Sequence, residues 1–510
     1  MGNVLVLNMG MKSIRSIIFN RNGIKVSSAA VSIETSLNGD WVVQNPSEWW
    51  EKAKHVIKES IQDLNGERID YMTVTASSSC LVCTDQDCNA LYPSIMVSDR
   101  RAVKESQQIE HLTSFIKVKE STGMSADPCL MIPKILWIKN NVPLVYENTY
   151  QFLSPNDFLT AKFTGEFVTD YFNAKKYYYD TNANSYPKEL LQEVGIPAEK
   201  LPVVVKPGCC IGLIRNSVSD EIGLNRGIQF IVTSYDAICS FIGSGASSDG
   251  EASDVSGTVT VFRAFSKSSS LKPSKKIFNI PFDGLDFNIV GGSNNLGGGL
   301  IEWVKQCYYQ NEKYPYELME KDAREASWGA GGVVFLPYLM GERAPIWNKD
   351  ARGVFFGLER THTRKEMARA VFESTGFIVL DMISAIEETG ASVNKIRLSG
   401  GLARVHLISQ IKADITGREI LVLSDFETTS TGAAMLALVG QEEYKNLQEA
   451  AQYFVSIRMI ICPNKRNYEN YSEIYALYKE TYKTLKNLFV KRKTLTDKIY
   501  RKCQVKIENL

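Results

Sequence analysis

A glycine in a short polar loop between two apolar runs can hold a phosphate without a charged side chain, because backbone N–H groups converge there. Two such loops occur. Asn8-Met9-Gly10-Met11-Lys12-Ser13 separates the apolar residues 4–7 from residues 16–19, with Arg15 just beyond it. Ser256-Gly257-Thr258 separates Asp254-Val255 from residues 259–261. Each also reads as an ordinary hairpin turn. A carboxylate stands at a third position: the apolar residues 230–233 lead to Ser234-Tyr235-Asp236, and small residues follow at Ala237, Cys239, Ser240, Gly243 and Gly245. Asp236 there either caps a helix or accepts a proton. Cys80 and Cys83 form a C-x-x-C pair with Cys88 close by, but no second pair follows and the chain holds four histidines, so buried thiols are the better reading.

The elements that must position these residues can be read from periodicity. Residues 4–7, 16–19 and 24–31 are strands, the last two joined by Asn22-Gly23, whose residues tolerate positive φ. Pro46-Ser47-Glu48-Trp49-Trp50 opens a helix. Residues 71–76 are a strand running into Ser77-Ser78-Ser79. Thr363 and Glu366 form a capping box, with Met367, Ala370, Val371 and Ser374 sharing one face behind it. A strand at 395–398 ends in Ser399-Gly400-Gly401 before a helix over 405–416, and Ser430-Thr431-Gly432-Ala433-Ala434 starts a helix that another element can approach closely. From Tyr471, a stripe of Tyr475, Tyr478, Tyr482, Leu485 and Phe489 predicts a helix packed by its aromatic face. Beyond it, Lys491-Arg492-Lys493, Lys498, Arg501 and Lys502 read as a solvated basic end.

A chain of 510 residues is too long for one core, and the Ser-, Gly- and Asp-rich stretch after Gly245 suggests the boundary. The expected domains are 1–247 and 248–480, with a basic tail over 481–510. Lysine plus arginine (58) nearly cancels aspartate plus glutamate (57), so no bulk field points to nucleic acid or a membrane surface. Residues 1–7 are too short for a signal-peptide core and no run reaches the ~20 apolar residues of a membrane span, so the cytosol is the expected compartment.

In their order, these pieces resemble the FGGY family of carbohydrate kinases, and within it the xylulose-kinase-like branch. The most specific stretch is Gly353-Val354-Phe355-Phe356-Gly357-Leu358, then seven residues, then Glu366-Met367-Ala368-Arg369-Ala370-Val371-Phe372-Glu373. Phe335-Leu336-Pro337-Tyr338 and Gly341-Glu342-Arg343-Ala344-Pro345 precede it, and Lys134-Ile135-Leu136-Trp137 falls in place upstream. The similarity spans about residues 3 to 480. It implies an α/β chain with the two-domain actin/hexokinase/heat-shock-chaperone-type ATPase (ribonuclease H-like) fold. ATP would lie in the interdomain cleft and a small sugar or polyol on the N-terminal side, a pentulose such as xylulose first. A homodimer is compatible with the family.

The resemblance also implies roles. Asp236 looks like the family's general base, and it would touch both the acceptor hydroxyl and the cofactor Mg²⁺. Gly10, Lys12, Ser13 and Arg15 would meet the phosphates of ATP, as would Gly257 and Thr258. Gly299 would approach the nucleotide by backbone, and Gly400, Gly401 and Asp414 match the adenosine-binding segment. Ser78, Ser79 and Asp99 are candidate sugar contacts, although the branch carries Met-His where this chain has Ser78-Ser79. The family carries aspartate at the position of Asn8 and threonine at Met11. Asparagine keeps a metal-facing carbonyl oxygen but loses the charge, and Lys12 is expected to take over part of the metal's role on the phosphate oxygens. A catalytically impaired relative that binds sugar or nucleotide for regulation is the alternative.

Overall fold

Seven consecutive residues, Asn3–Met9, are buried and form strand β1, the pattern of a strand with parallel pairing and covered faces. The computed structural model describes residues 2–64, 66–268, 270–282 and 287–507. The Gly10 N–H donates to the Ser13 carbonyl at 3.0 Å and closes the turn into β2 (Ser13–Phe19). Gly23, at φ 74°, then turns the chain into β3 (Lys25–Ser32), as the Asn-Gly pair predicts. β4 (Ile69–Ala76) runs parallel to β1. β5 (Cys210–Leu213) and β6 (Gln229–Ile231) complete a sheet of order β5-β6-β4-β1-β2-β3. Helix Pro46–Ser60 lies against β2 and β3 through the buried Trp49, Ala53, Val56 and Ile57.

The chain divides into two compact units, Met1–Gly245 with Glu427–Val455, and Ala246–Phe426 with Ser456–Leu510. The sequence expectation of a single passage near residue 248 differs from this at one segment: Glu427–Val455 packs with the first unit. The fit is made by small residues. Helix Asp236–Gly243 meets helix Thr428–Gly440 backbone to backbone, so that a Cβ on Gly432 would lie 1.8 Å from the Cys239 carbonyl oxygen.

The second unit repeats the first. Its strands are β7 (Glu251–Ser256), β8 (Thr260–Ser266), β9 (Phe278–Phe282), β10 (Phe287–Ser293), β11 (Lys395–Ser399), β12 (Glu419–Leu423) and β13 (Ile457–Ile461), in the order β9-β10-β8-β7-β11-β12-β13. In both sheets a leading strand has two antiparallel neighbours in succession on one side, β2-β3 or β8-β10, and two parallel ones on the other, β4-β6 or β11-β12. The two glycine hairpins are therefore topological equivalents.

Helix Arg364–Glu387 starts at the expected capping box of Thr363 and Glu366. The final helix, Lys465–Ile507, runs on through the stretch expected as a solvated tail. The apolar stripe anchors this helix as far as Phe489: Tyr471, Tyr478 and Phe489 are buried in the second unit, with the Tyr475 and Tyr478 rings 5.9 and 5.1 Å from Phe377. Beyond it Lys491, Arg492, Lys493 and Lys498 are exposed, as expected of a solvated basic end. Residues 508–510, and the side chains of Arg501 and Lys502, lie outside the described residues. Among the described residues, no helix is long and apolar enough to cross a membrane.

Candidate active site

β1 and β4 end side by side in the first unit. Asn8 is paired with Thr75 and Met9 with Ala76, and the next residue, Ser77, donates its N–H to the Met9 carbonyl. The Ser77 hydroxyl donates to Asp236 Oδ2 at 3.1 Å. Asp236 is half-buried and is the first residue of its helix, whose cap is Tyr235, so it does not occupy the capping position. The strand end before it is pinned from three directions. The Ser234 carbonyl accepts from Thr75 Oγ1 at 2.9 Å and Asn156 Nδ2 at 3.1 Å, and the Ser234 hydroxyl donates to Asp170 Oδ1 at 2.9 Å. Burial lifts the Asp170 carboxyl to about 6. Sequence reasoning missed Ser77, Asn156 and Asp170 as supports of Asp236. Ser154 caps the helix Pro155–Thr164 through a capping box with Asp157, and Asn156 lies in its buried first turn.

The β1–β2 turn carries Gly10, exposed Lys12 and Ser13. Arg15 Nε donates to Ser13 Oγ at 3.3 Å, while the Arg15 guanidinium forms an ion pair with Glu427. Asn8 is buried, and its amide nitrogen donates to Glu427 Oε1 at 3.1 Å and Ser430 Oγ at 3.0 Å. Glu427 was not anticipated; it lies far along the chain, ahead of a stretch read only for its small residues.

Ser78 and Ser79 follow Ser77 in the same unit. Ser79 is buried and left-handed at φ 59°, and its carbonyl accepts from Lys134 Nζ at 2.5 Å. Lys134 is fully buried, also donates to the Met96 carbonyl at 2.9 Å, and is held down to about 8 by burial. Its signal was a lysine in the otherwise apolar run Met131-Ile132-Pro133-Lys134-Ile135-Leu136-Trp137. Asp99 is buried with both oxygens engaged. Arg101 Nε donates to Oδ1 at 2.9 Å and its NH2 to Oδ2 at 2.7 Å, the Val42 N–H to Oδ2 at 2.6 Å and the Arg101 N–H to Oδ1 at 3.0 Å. Arg101 lies over Trp41 and Trp137, at 4.2 and 4.9 Å from their rings. Expected as a sugar contact, Asp99 instead anchors this aromatic corner, because four donors already saturate a carboxylate.

In the second unit, the expected glycines converge. The Gly298 N–H donates to the Gly257 carbonyl at 2.7 Å and the Gly299 N–H to the Thr258 carbonyl at 3.1 Å. Gly400, at φ 88°, lies so near the hairpin that a Cβ would be 2.6 Å from the Ser256 carbonyl oxygen. Gly257, Thr258, Gly299 and Gly400 thus form one cradle of backbone, with Gly401 beside it open to solvent. Beneath it, Lys412 donates to Asp254 Oδ2 at 2.5 Å and Ser256 Oγ at 2.7 Å, all three fully buried. Asp414 sits apart from the cradle's backbone contacts. It accepts from Gln410 Nε2, the Asn464 N–H and Asn467 Nδ2, each at 2.8 Å, and so ties its helix to the start of the final one. Cys80, Cys83 and Cys88 are buried free thiols that burial pushes up to about 11, 12 and 12.

The geometry has counterparts among known proteins. The N-terminal domain of the FGGY family of carbohydrate kinases matches residues 3–243, and the C-terminal domain matches residues 252–440. The xylulose kinase of Bacillus subtilis is 26% identical over 500 residues, spanning 95% of this chain and 97% of that one. Among solved structures, ligand-bound xylulose kinase from Lactobacillus acidophilus superposes with a TM-score of 0.89 at 25% identity, covering 96% of this chain and all of that one (100%). Gluconate kinase from the same organism gives 0.88 at 25%, covering 95% and 98%. The fold is accordingly the two-domain actin/hexokinase-like ATPase fold. With both domain models matched in order over most of its length, the chain belongs to the FGGY family of carbohydrate kinases.

Proposed function

We propose that this sugar kinase transfers the γ-phosphoryl group of ATP to a hydroxyl of a pentulose, xylulose first, with Asp236 as general base. The observation that carries the reading is the placement of Asp236: half-buried at the first turn of a helix, beside the paired ends of β1 and β4, with one oxygen held by Ser77. A carboxylate oriented in this way can hydrogen-bond an acceptor alcohol and take its proton as the new P–O bond forms. The Gly10–Ser13 turn and Arg15 would receive phosphate oxygens, and Ser78 would hydrogen-bond the sugar. The cradle of Gly257, Thr258, Gly299 and Gly400 suits a nucleotide because side chains are excluded where backbone must come close. Asp414 contributes to adenosine binding only by holding its helix in place.

The residues present fit Mg²⁺ in the manner usual for kinases. Among the described residues no three His, Cys, Asp or Glu side chains cluster as a cage. An ion held largely by phosphates and water needs only one or two protein oxygens, which Asp236 and the Asn8 carbonyl oxygen would supply. When bound, the ion neutralises charge on the phosphate oxygens.

A coupled ATP-consumption assay over xylulose, ribulose, gluconate and glycerol tests the proposal. Xylulose should give the highest kcat/KM, and Asp236→Ala should lower kcat by roughly a thousandfold or more, general-base loss plus mispositioning. Turnover that survives the substitution defeats the assignment of the base. The similarity to gluconate kinase makes gluconate the second substrate to examine, and a higher kcat/KM for it would replace xylulose in this reading.

A further inference from the structure

Three hydrogen bonds around residue 8 close a triangle. Asn8 Nδ2 donates to Glu427 Oε1 at 3.1 Å and to Ser430 Oγ at 3.0 Å, and the Ser430 hydroxyl donates to the same Glu427 Oε1 at 3.1 Å. Glu427 Oε2 receives Arg15, the cross-strand partner of Asn8 in the β1–β2 hairpin. Ser430 is fully buried, Asn8 is 6% exposed and the Glu427 side chain 18%. The polarity of the triangle is set by Glu427, since a carboxylate only accepts and an amide nitrogen only donates. A carboxylate at position 8 would place an oxygen about 3 Å from a Glu427 oxygen, where two charges cannot both persist.

We infer that residue 8 is an amide because the negative charge of this corner stands on Glu427, and that Asn8, Ser430, Glu427 and Arg15 form one positioning network between the β1–β2 turn and the start of helix Thr428–Gly440. Asn8 in this arrangement is a matched part of the site. Glu427 has two effects on the turn. It holds Arg15 in place beside Ser13, and it offsets the guanidinium charge, so that nucleotide phosphate depends more on Mg²⁺ for neutralisation. This second effect rests on the reading of the turn as phosphate-facing; the coupling of residues 8 and 427 does not.

The test is a charge cycle of Asn8→Asp, Glu427→Gln and the double variant on the full chain, read by thermal unfolding from pH 5 to pH 8 without ligands. Asn8→Asp should lower Tm at pH 8 by roughly 4 °C or more. The loss should shrink toward pH 5, because one carboxyl of the crowded pair takes up a proton there. The double variant should regain most of the loss, because it exchanges amide and carboxylate between the two positions: the amide at 427 then donates to the carboxylate at 8. An Asn8→Asp protein as stable as the parent at pH 8, or a double variant no better than Asn8→Asp alone, overturns the coupling. If Asn8→Asp fails to fold, the double variant still decides, since only the coupling predicts that it folds. Calorimetry of Glu427→Gln with ATP, with and without Mg²⁺, reads the second effect. The ratio of Kd without the ion to Kd with it should fall about fivefold or more, and an unchanged ratio confines Glu427 to a structural role. Should no sugar be phosphorylated at all, the proposed function fails while the unfolding cycle stands or falls by itself.

Discussion

Side chains named for one task often turn out to serve another, and the hydrogen-bond donors around them decide which. Asp99 and Asp414 are both carboxylates in promising stretches, yet Asp99 is saturated by four donors and Asp414 is engaged by three, all of its own unit. Asp236 accepts from the Ser77 hydroxyl beside the paired ends of β1 and β4, and that placement is what the proposed role as base rests on. Lys12 is the complementary case: it is exposed at the tip of the β1–β2 turn, while Arg15 is engaged with Glu427. If Lys12 neutralises phosphate charge, Lys12→Ala should raise KM for ATP roughly tenfold, equivalent to about 1.4 kcal/mol. The effect should weaken at high salt because the charge is solvated. Initial rates at two ionic strengths measure both, and unchanged ATP affinity and turnover would remove Lys12 from the phosphate site.

Among the elements, the crossing of helices Asp236–Gly243 and Thr428–Gly440 matters most to the site, since one helix begins with Asp236 and the other follows Glu427. Their approach is possible only because Gly243 and Gly432 lack side chains. A Cβ on either would lie 1.8 Å from a carbonyl oxygen of the opposite helix, and backbone cannot give way as a flexible side chain does. Gly432→Ala should therefore destabilise the first unit by about 3 kcal/mol or more and reduce kcat through displacement of Asp236. Urea unfolding checks the first effect and initial rates the second. The FGGY signature has a similar architectural meaning in the second unit. Arg369 Nε donates to Glu373 Oε1 at 2.7 Å, as do the Tyr471 hydroxyl at 2.7 Å and the Gly329 N–H at 2.9 Å. The most recognisable residues of the chain thus join helix Arg364–Glu387 to the final helix.

For the molecule as a whole, several buried carboxyl groups are held above the usual carboxylate range because desolvation outweighs the groups that lower them, which for Glu342 include the neighbouring Arg343. Burial raises Asp157 to about 7 and Asp170 to about 6 in the first unit, and Glu342 to about 7 in the second. A folded-state pKa above the unfolded value means that the folded chain binds more protons between the two. These groups therefore favour folding fully below about pH 4 and lose that contribution as pH rises toward 7. Asp157 is the acidic half of the Ser154 capping box and is 2% exposed. Asp157→Asn should flatten the decline of Tm between pH 5 and pH 8 relative to the parent chain, and a parallel decline in the variant would assign the slope to other groups.

What the amino-acid order determines by itself is whatever depends on neighbours a few residues apart. The Asn22-Gly23 turn, the Thr363–Glu366 capping box and the apolar runs of β1, β2 and β4 lie where periodicity and backbone preference put them. The glycines at 257, 299 and 400 were legible as turns and, through the resemblance, as separate candidates for nucleotide contact; the fold is what brings their backbones together. Long-range pairing decided the remainder. Nothing near Asn8 in the sequence announces Glu427, 419 positions away, and nothing near Asp236 announces Ser77. The return of Glu427–Val455 to the first unit depends on two glycines on different helices meeting. Asp99 became an anchor only through folding, which brought Arg101 over Trp41 and Trp137 and the Val42 N–H onto its carboxylate. Propensity and capping are local energies summed along a chain, whereas the protonation, charge and exposure of a buried group are set by whichever distant atoms the fold places around it.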